Sequence, residues 1–337
     1  TAVTAQGYRI AAKKAGANLT VSFFPLDAGP VMARMIATLQ PKAIVIAETE
    51  IWPNLIRQAA ARDIPIILVN GRMSPKAHSR YRKIGGTLTR LLTHYDRFFF
   101  KSAEDQERYG SFGVSGRQSV VAGDMKFDAP LLARSAARID AIRRSLSVGE
   151  DQFLFVAGST RAGEEQLLLD LYRTVKSQHP SFRMVLVPRH IERAQEVRTL
   201  VDVHGFGVRL YGDAAQAPPE AITVVDRMGI LNDLYLAADL AFVGGTLVEI
   251  GGHNLLEPVW ARTPVVFGPS LGNVEEPAAY ILEHNYGCRV ENGDELARVV
   301  AEVISGTRTF SEKTDTEMTH SATAQVGGYI LQRIQHA

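Results

Sequence analysis

Short apolar runs rich in β-branched residues alternate along the chain with longer stretches of helical periodicity, and this alternation narrows the possible folds more than any other feature. In the first half the strand candidates are TVSFFPL (20–26), AIVIAE (43–48), IPIILVN (64–70), RFFFK (97–101) and SVVAGD (119–124). Helical patterns lie between them at about 6–18, 29–39, 52–61, 80–93 and 103–109. The second half repeats the rhythm with FLFVAG (153–158), RMVLVPR (183–189), GVRLY (207–211), ITVVD (222–226), LAFVGG (240–245) and PVVFG (264–268). Its helices are expected at about 163–177, 190–203, 229–237, 254–261, 275–284 and 293–304. Such alternation implies an α/β protein with parallel sheets and helices on both faces. Strands that are apolar throughout imply that both faces are covered.

A polar, Ala-rich stretch at 128–150 lacks a clear strand and divides the chain. The expected domains are 1–127 and 128–310, two doubly wound Rossmann-like halves facing a cleft. The tail 311–337 is expected to form a helix that can pack back on the first domain. In open α/β sheets ligands sit beyond the carboxyl ends of strands, so the strand-end loops are where function is sought.

A length of 337 residues fits about two domains. With 46% hydrophobic and 22% charged residues the chain can bury a core and is not disordered. Lys and Arg number 37 against 36 Asp and Glu, a net +1, which argues against a dedicated nucleic-acid binder. The single cysteine, Cys288, excludes a disulfide framework or a CxxC site. No apolar run approaches the roughly 18 residues that span a bilayer. The first residue is Thr1, and the opening reads as a strand end running into a helix, so a segment upstream is expected. GxxxxGK, HExxH, GxGxxG and DxD motifs are absent and the nine histidines are not spaced as metal ligands. A reaction without metal or cofactor is therefore expected.

What remains are polar strand-end loops. In GGTLVEIGGHNLLEP (244–258), Gly251 and Gly252 permit tight turns and close approach of a ligand, and His253 or Asn254 can cap the next helix. Asn254 and Glu257, three apart, share a helix face; the helix N-terminus can hold a phosphate and Glu257 can accept from ribose hydroxyls. The alternative is a capped helix with glycine turns. In GSTRAGEE (158–165), Ser159 and Thr160 can cap a helix or bind an anion, while Glu164 and Glu165 suit the helix dipole. Pro188 ends a strand and places Arg189 for a phosphate or a base carbonyl, or simply at the surface. Met228 and Gly229 open a helix, where backbone groups can read a nucleobase edge.

In the first half, AETEIWPNLI (47–56) sets Glu48 and Glu50 at a strand end before a helix that Pro53 can open. These carboxylates can act as a general base or bind hydroxyls, or merely offset a helix dipole. Residues 71–101 carry Arg72, Lys76, Arg80, Arg82 and Lys83 among further basic residues, with Asp96 the only acid. Such a patch can attract a phosphorylated lipid or an anionic membrane surface, or it can be a solvated helix face.

ETEIWPNLI, NGRMSPKAHSRY, GDMKFD, AGSTRAGEE, LVPRHIERA, DRMGILNDLY and AFVGGTLVEIGGHNLLEPVWARTPVVFGP, in this order, resemble the 3-deoxy-manno-octulosonic acid (Kdo) transferases of lipopolysaccharide synthesis. The resemblance implies a GT-B glycosyltransferase using CMP-Kdo as donor and a lipid A precursor, lipid IVA, as acceptor, at the cytoplasmic face of the inner membrane. By that resemblance Pro188, Arg189, Met228, Gly229, Asn254 and Glu257 are nucleotide-binding positions, and Ser159 and Lys126 are polar positions near the cleft. Gly252 and His253 fall in the same phosphate-side loop. It implies inversion without metal: a carboxylate deprotonates the acceptor hydroxyl, which attacks the anomeric carbon as CMP leaves. It also places a membrane anchor and the general base, in a Ser-Val-Gly-Glu motif, upstream of Thr1. The SVGE at 147–150 lies in the interdomain stretch and is read as a chance match. On that reading these 337 residues alone transfer little or no Kdo. Two other readings share the architecture: another GT-B enzyme using a UDP-sugar, such as an epimerase or lipid A disaccharide synthase, and a non-catalytic nucleotide-sugar binding module.

Overall fold

The computed structural model describes residues 1–128, 131–213, 220–314 and 321–335. Its internal contacts divide the chain into Thr1–Asp128 with Thr319–Ala337, and Ala129–Met318.

The first unit holds four parallel strands in the order β1-β2-β3-β4: β1 (Ile44–Ala47), β2 (Ile66–Gly71), β3 (Arg97–Phe100) and β4 (Ser119–Val121). One face is covered by Met32, Ile36, Leu55 and Ile56 together with Leu88, Leu91 and Leu92, all buried on helices at their apolar spacing. The helix Pro53–Ala60 lacks a cap of its own. Asp27 supplies it from a distance, accepting from the N–H groups of Asn54 (3.0 Å) and Leu55 (2.9 Å). The other face is covered by the C-terminal helix Ala322–Gln335, whose Val326 packs with Ile67, Val69 and Phe99. Tyr329 donates to Asp96 (2.7 Å), and Arg333 pairs with the same carboxylate (3.1 Å).

Two expectations fail here. The run 20–26 forms no strand, only a single bridge between Ala2 and Phe23. Pro25 offers no N–H to continue a ladder, and Leu26 is 80% exposed. The single helix expected at 80–93 is two, Pro75–Arg82 and Gly85–Leu92. The Gly85–Gly86 pair starts the second, and Ser74, whose hydroxyl accepts from Ala77 N–H at 3.2 Å, starts the first.

The second unit has seven parallel strands, β5 (Phe153–Thr160), β6 (Phe182–Pro188), β7 (Val208–Leu210), β8 (Ile222–Val224), β9 (Leu240–Val243), β10 (Val265–Phe267) and β11 (Gly287–Arg289). Their order is β11-β10-β9-β5-β6-β8-β7. β11 was not anticipated because three residues, GCR, carry no apolar pattern. The stretch read as an interdomain linker contains the helix Ala136–Ser145, tied to this unit by buried Arg143, which donates to the carbonyl of Ala237 at 3.0 Å. Phe155, Phe182 and Phe242 lie fully buried at the sheet centre. The chain moves outward from β5 to β6, β7 and β8, then returns on the far side of β5 with β9. The order reverses between β5 and β9, and a crevice opens at their carboxyl ends.

Candidate functional site

The carboxyl ends of β5 and β9 are locked together by one side chain. Glu164 opens the helix Glu164–Gln178 and is 0% exposed. Its Oε2 accepts from the N–H groups of Arg161 (2.9 Å) and Gly245 (2.8 Å), and its Oε1 from those of Thr246 (3.1 Å) and Leu247 (3.0 Å). Burial pushes its carboxyl pKa up, while the four N–H donors pull it down. Its neighbour Glu165, also buried, accepts from the Thr160 hydroxyl (2.9 Å) and from Arg193 (2.8 Å). The sequence suggested only dipole compensation for both residues. The close crossing also explains Gly244, where a Cβ would stand 2.5 Å from the Ser159 carbonyl oxygen and 2.7 Å from Thr160 Cα. Ser159 itself has φ 57°, a left-handed backbone rare outside glycine, at the mouth of the crevice.

Within this unit a pocket of about 300 Å³ is lined by Ser159, Arg189, Gly229, Leu231, Asn232, His253, Asn254 and Glu257. The end of β5 and the segments that follow β6, β8 and β9 each contribute. Asn254 accepts from Leu256 N–H (3.2 Å) at the start of the helix Leu256–Trp260 and donates to Glu257 Oε1 (3.2 Å). Burial raises the pKa of Glu257, opposed by the Asn254 amide and the charge of Arg189. Arg161 Nε donates to His253 Nε2 (3.0 Å), and its Nη1 lies 2.9 Å from His190 Nε2. Burial, then the charges of Arg161, Arg189 and His190, push the His253 pKa down to about 4. The pocket thus combines one arginine, Arg189, with a second, Arg161, behind His253, hydroxyl and amide donors, and one half-buried carboxylate acceptor. That mixture suits a ligand with an anionic group at one end and hydroxyls at the other.

Six residues singled out in the sequence therefore meet here: Ser159, Arg189, Gly229, His253, Asn254 and Glu257. Three do not line the pocket. Pro188 is buried in β6 in register with Thr160, Met228 is 76% exposed, and Gly252 is buried with φ 84°, its missing Cβ leaving room for Val274. Leu231 and Asn232 line it without having been singled out, although they follow closely on Gly229 and open the helix Leu231–Ala237.

The remaining candidates belong to the first unit. Glu48 directly follows β1, with φ 63°, and pairs with Arg72 at 2.7 Å, both side chains well exposed. Glu50 accepts from Trp52 Nε1 at 2.9 Å. Lys126 lies in the turn Met125–Asp128, its N–H bonded to Asp124 Oδ1 (2.9 Å). Burial alone would raise the Asp124 pKa; the Lys126 N–H, the Lys101 ammonium 3.2 Å away and the Asn70 amide outweigh it and hold it low. Lys76, Arg80, Arg82 and Lys83 are exposed on and after the helix Pro75–Arg82. Among the described residues no cluster of three or more His, Cys, Asp or Glu could hold a metal, and no helix is long and apolar enough to cross a membrane.

The model of a family described as 3-deoxy-D-manno-octulosonic-acid transferase (kdotransferase) matches residues 1–129. A 3-deoxy-D-manno-octulosonic acid transferase of Aquifex aeolicus is 30% identical over 282 residues, 83% of this chain and 71% of that protein. A bifunctional glycosyltransferase/methyltransferase of Fusobacterium nucleatum is 36% identical over 302 residues, 88% of this chain and 46% of that protein. The chain spans less than half of the Fusobacterium protein and 66% of each of two further relatives. The solved UDP-GlcNAc 2-epimerase of Methanocaldococcus jannaschii resembles it with a TM-score of 0.53 at 12% identity, covering 91% of this chain and 80% of that one. That likeness concerns the fold: the two parallel-sheet α/β units are those of the GT-B architecture.

Proposed function

The chain belongs to the Kdo transferase family, and from that premise we propose that it carries the donor site of a glycosyltransferase moving Kdo from CMP-Kdo to a lipid A precursor. The carrying observation is the single pocket that gathers Ser159, Arg189, Gly229, His253, Asn254 and Glu257 at the carboxyl ends of β5, β6, β8 and β9. In this reading Glu257 accepts from the ribose hydroxyls, held by the Asn254 amide. The backbone at Gly229 faces the cytosine edge. Arg189 and Ser159 take the phosphate, stabilising the charge that develops as CMP leaves. The acceptor hydroxyl attacks the anomeric carbon from the opposite face, so configuration inverts. Its proton goes to a carboxylate, and no metal is required. Glu48 and Glu50, at the strand ends of the first unit, serve the acceptor side. The exposed cations Lys76, Arg80, Arg82 and Lys83 make no ion pair among the described residues and suit an anionic membrane surface. That surface would be the cytoplasmic face of the inner membrane.

Calorimetric titration with CMP, with UMP as control, tests the donor site. CMP should bind well above UMP, and Glu257→Ala should weaken it about tenfold, or about 1.4 kcal/mol, without lowering the melting temperature. Equal binding of both nucleotides, or an unchanged CMP affinity in the variant, would refute the assignment.

A further inference from the structure

His253 is held by its neighbours in one tautomer. The Arg161 Nε–H points at its Nε2 from 3.0 Å. A guanidinium only donates, so Nε2 carries the lone pair and the ring proton sits on Nδ1. The same Nε2–Cδ2 edge faces Gly245, where an added Cβ would lie 3.2 Å from both atoms. Nδ1 is then the polar ring atom left to the pocket, and it has no hydrogen-bond partner among the described residues, although the side chain lines that pocket. The charged and titratable groups around the ring are Arg161 after β5, Arg189 and His190 after β6, and Glu257 on the following helix. Among the described residues neither Arg161 nor Arg189 forms an ion pair with a carboxylate. The surroundings therefore disfavour a second positive charge on the ring and favour an anion in front of it.

We propose that His253 acts as a fixed, neutral N–H donor, aimed by Arg161 from behind, whose Nδ1–H takes a phosphate oxygen of the bound nucleotide. This rests on the nucleotide reading of the same pocket and adds to it a named donor and the residue that positions it. A neutral imidazole in this state gives the same hydrogen bond throughout the physiological pH range. It does not act as a proton donor to the leaving group, because the proton it shows the ligand is one it does not release at neutral pH. Arg161 is a positioning residue: its charge reaches the ligand through the ring.

The test has two readouts. Long-range ¹H–¹⁵N spectra of the histidine-labelled chain should show His253 as the Nδ1–H tautomer, without titration from about pH 8 to about pH 5. In Arg161→Ala the same ring should become a tautomer mixture and titrate nearer its ordinary value of about 6.5. An Nε2–H tautomer, or titration near that ordinary value in the unsubstituted protein, overturns the proposal. Calorimetry with CMP and with cytidine then reads the ligand. His253→Ala should weaken CMP about tenfold and leave cytidine nearly unchanged, since only CMP carries the phosphate. Equal loss for both, or no loss for CMP, overturns the assignment to phosphate while leaving the nucleotide site intact. An unsubstituted, cooperatively melting protein that binds neither compound overturns the nucleotide reading itself, and the ligand assignment with it.

Discussion

Both units present polar residues at the carboxyl ends of parallel strands, and each bends its chain there through a left-handed residue, Ser159 with φ 57° and Glu48 with φ 63°. They support those ends differently. Behind Ser159 stands Glu164, fully buried and saturated by four backbone N–H groups. Glu48 meets only Arg72, in a pair whose side chains are 39% and 46% exposed. The first arrangement fixes loops before any ligand arrives. The second leaves two charges in solvent, where their pairing is weak. One sheet edge is braced by a buried carboxylate and the other by an exposed ion pair.

The largest test of that contrast is Glu164→Ala. It orphans four buried N–H groups and should cost about 3 kcal/mol or more, read as a shifted urea midpoint of the second unit's transition. A loss below about 1 kcal/mol would remove the distinction between the two edges. Next comes Gly244→Ala, which forces a Cβ against the Ser159 carbonyl. About 1–3 kcal/mol of destabilisation is expected, accompanied by weaker CMP binding; unchanged melting would mean that the strand ends are less tightly locked than their geometry indicates. A smaller effect concerns pH. His253 has a folded pKa near 4, below its unfolded value of about 6.5. Below 6.5 the unfolded chain takes up the proton first, so this residue's stability contribution is full above that pH and declines as pH falls toward 4. Denaturation at several pH values should show a slope in that window that is shallower in Arg161→Ala; identical slopes would detach His253 from Arg161. The smallest effect belongs to the other edge: Arg72→Ala should change stability by less than about 1 kcal/mol. A larger loss would show that the exposed pair is as structural as the buried one.

Much of the architecture was legible in the sequence because covered parallel strands are apolar throughout and their helices have a different period. Strands β5, β6 and β9 needed nothing else. The failures were local. Three residues of β11 are too few for a pattern, Gly85–Gly86 interrupts an otherwise continuous helical period, and TVSFFPL has strand composition but makes only one bridge, to Ala2, before Pro25. The pocket was approachable for a related reason: Ser159, Arg189, Asn254 and Glu257 are polar residues immediately beyond apolar strands. Glu164 was misread because its role depends on a loop 81 residues later in the chain. A glutamate in a first helical turn looks the same whether it faces water or four amide groups. Arg161 was passed over for the same reason, since its partner His253 lies 92 residues away.

The helix Ala322–Gln335 covers Ile67, Val69 and Phe99 of the first unit, although the whole of the second unit lies between them in the chain. On the ribosome the intervening seven-stranded sheet is therefore fully synthesised while that apolar face still awaits Val326 and Tyr329. The earlier-made unit must persist as an incomplete body with a bare sheet face through the synthesis of its neighbour, a natural target for chaperones.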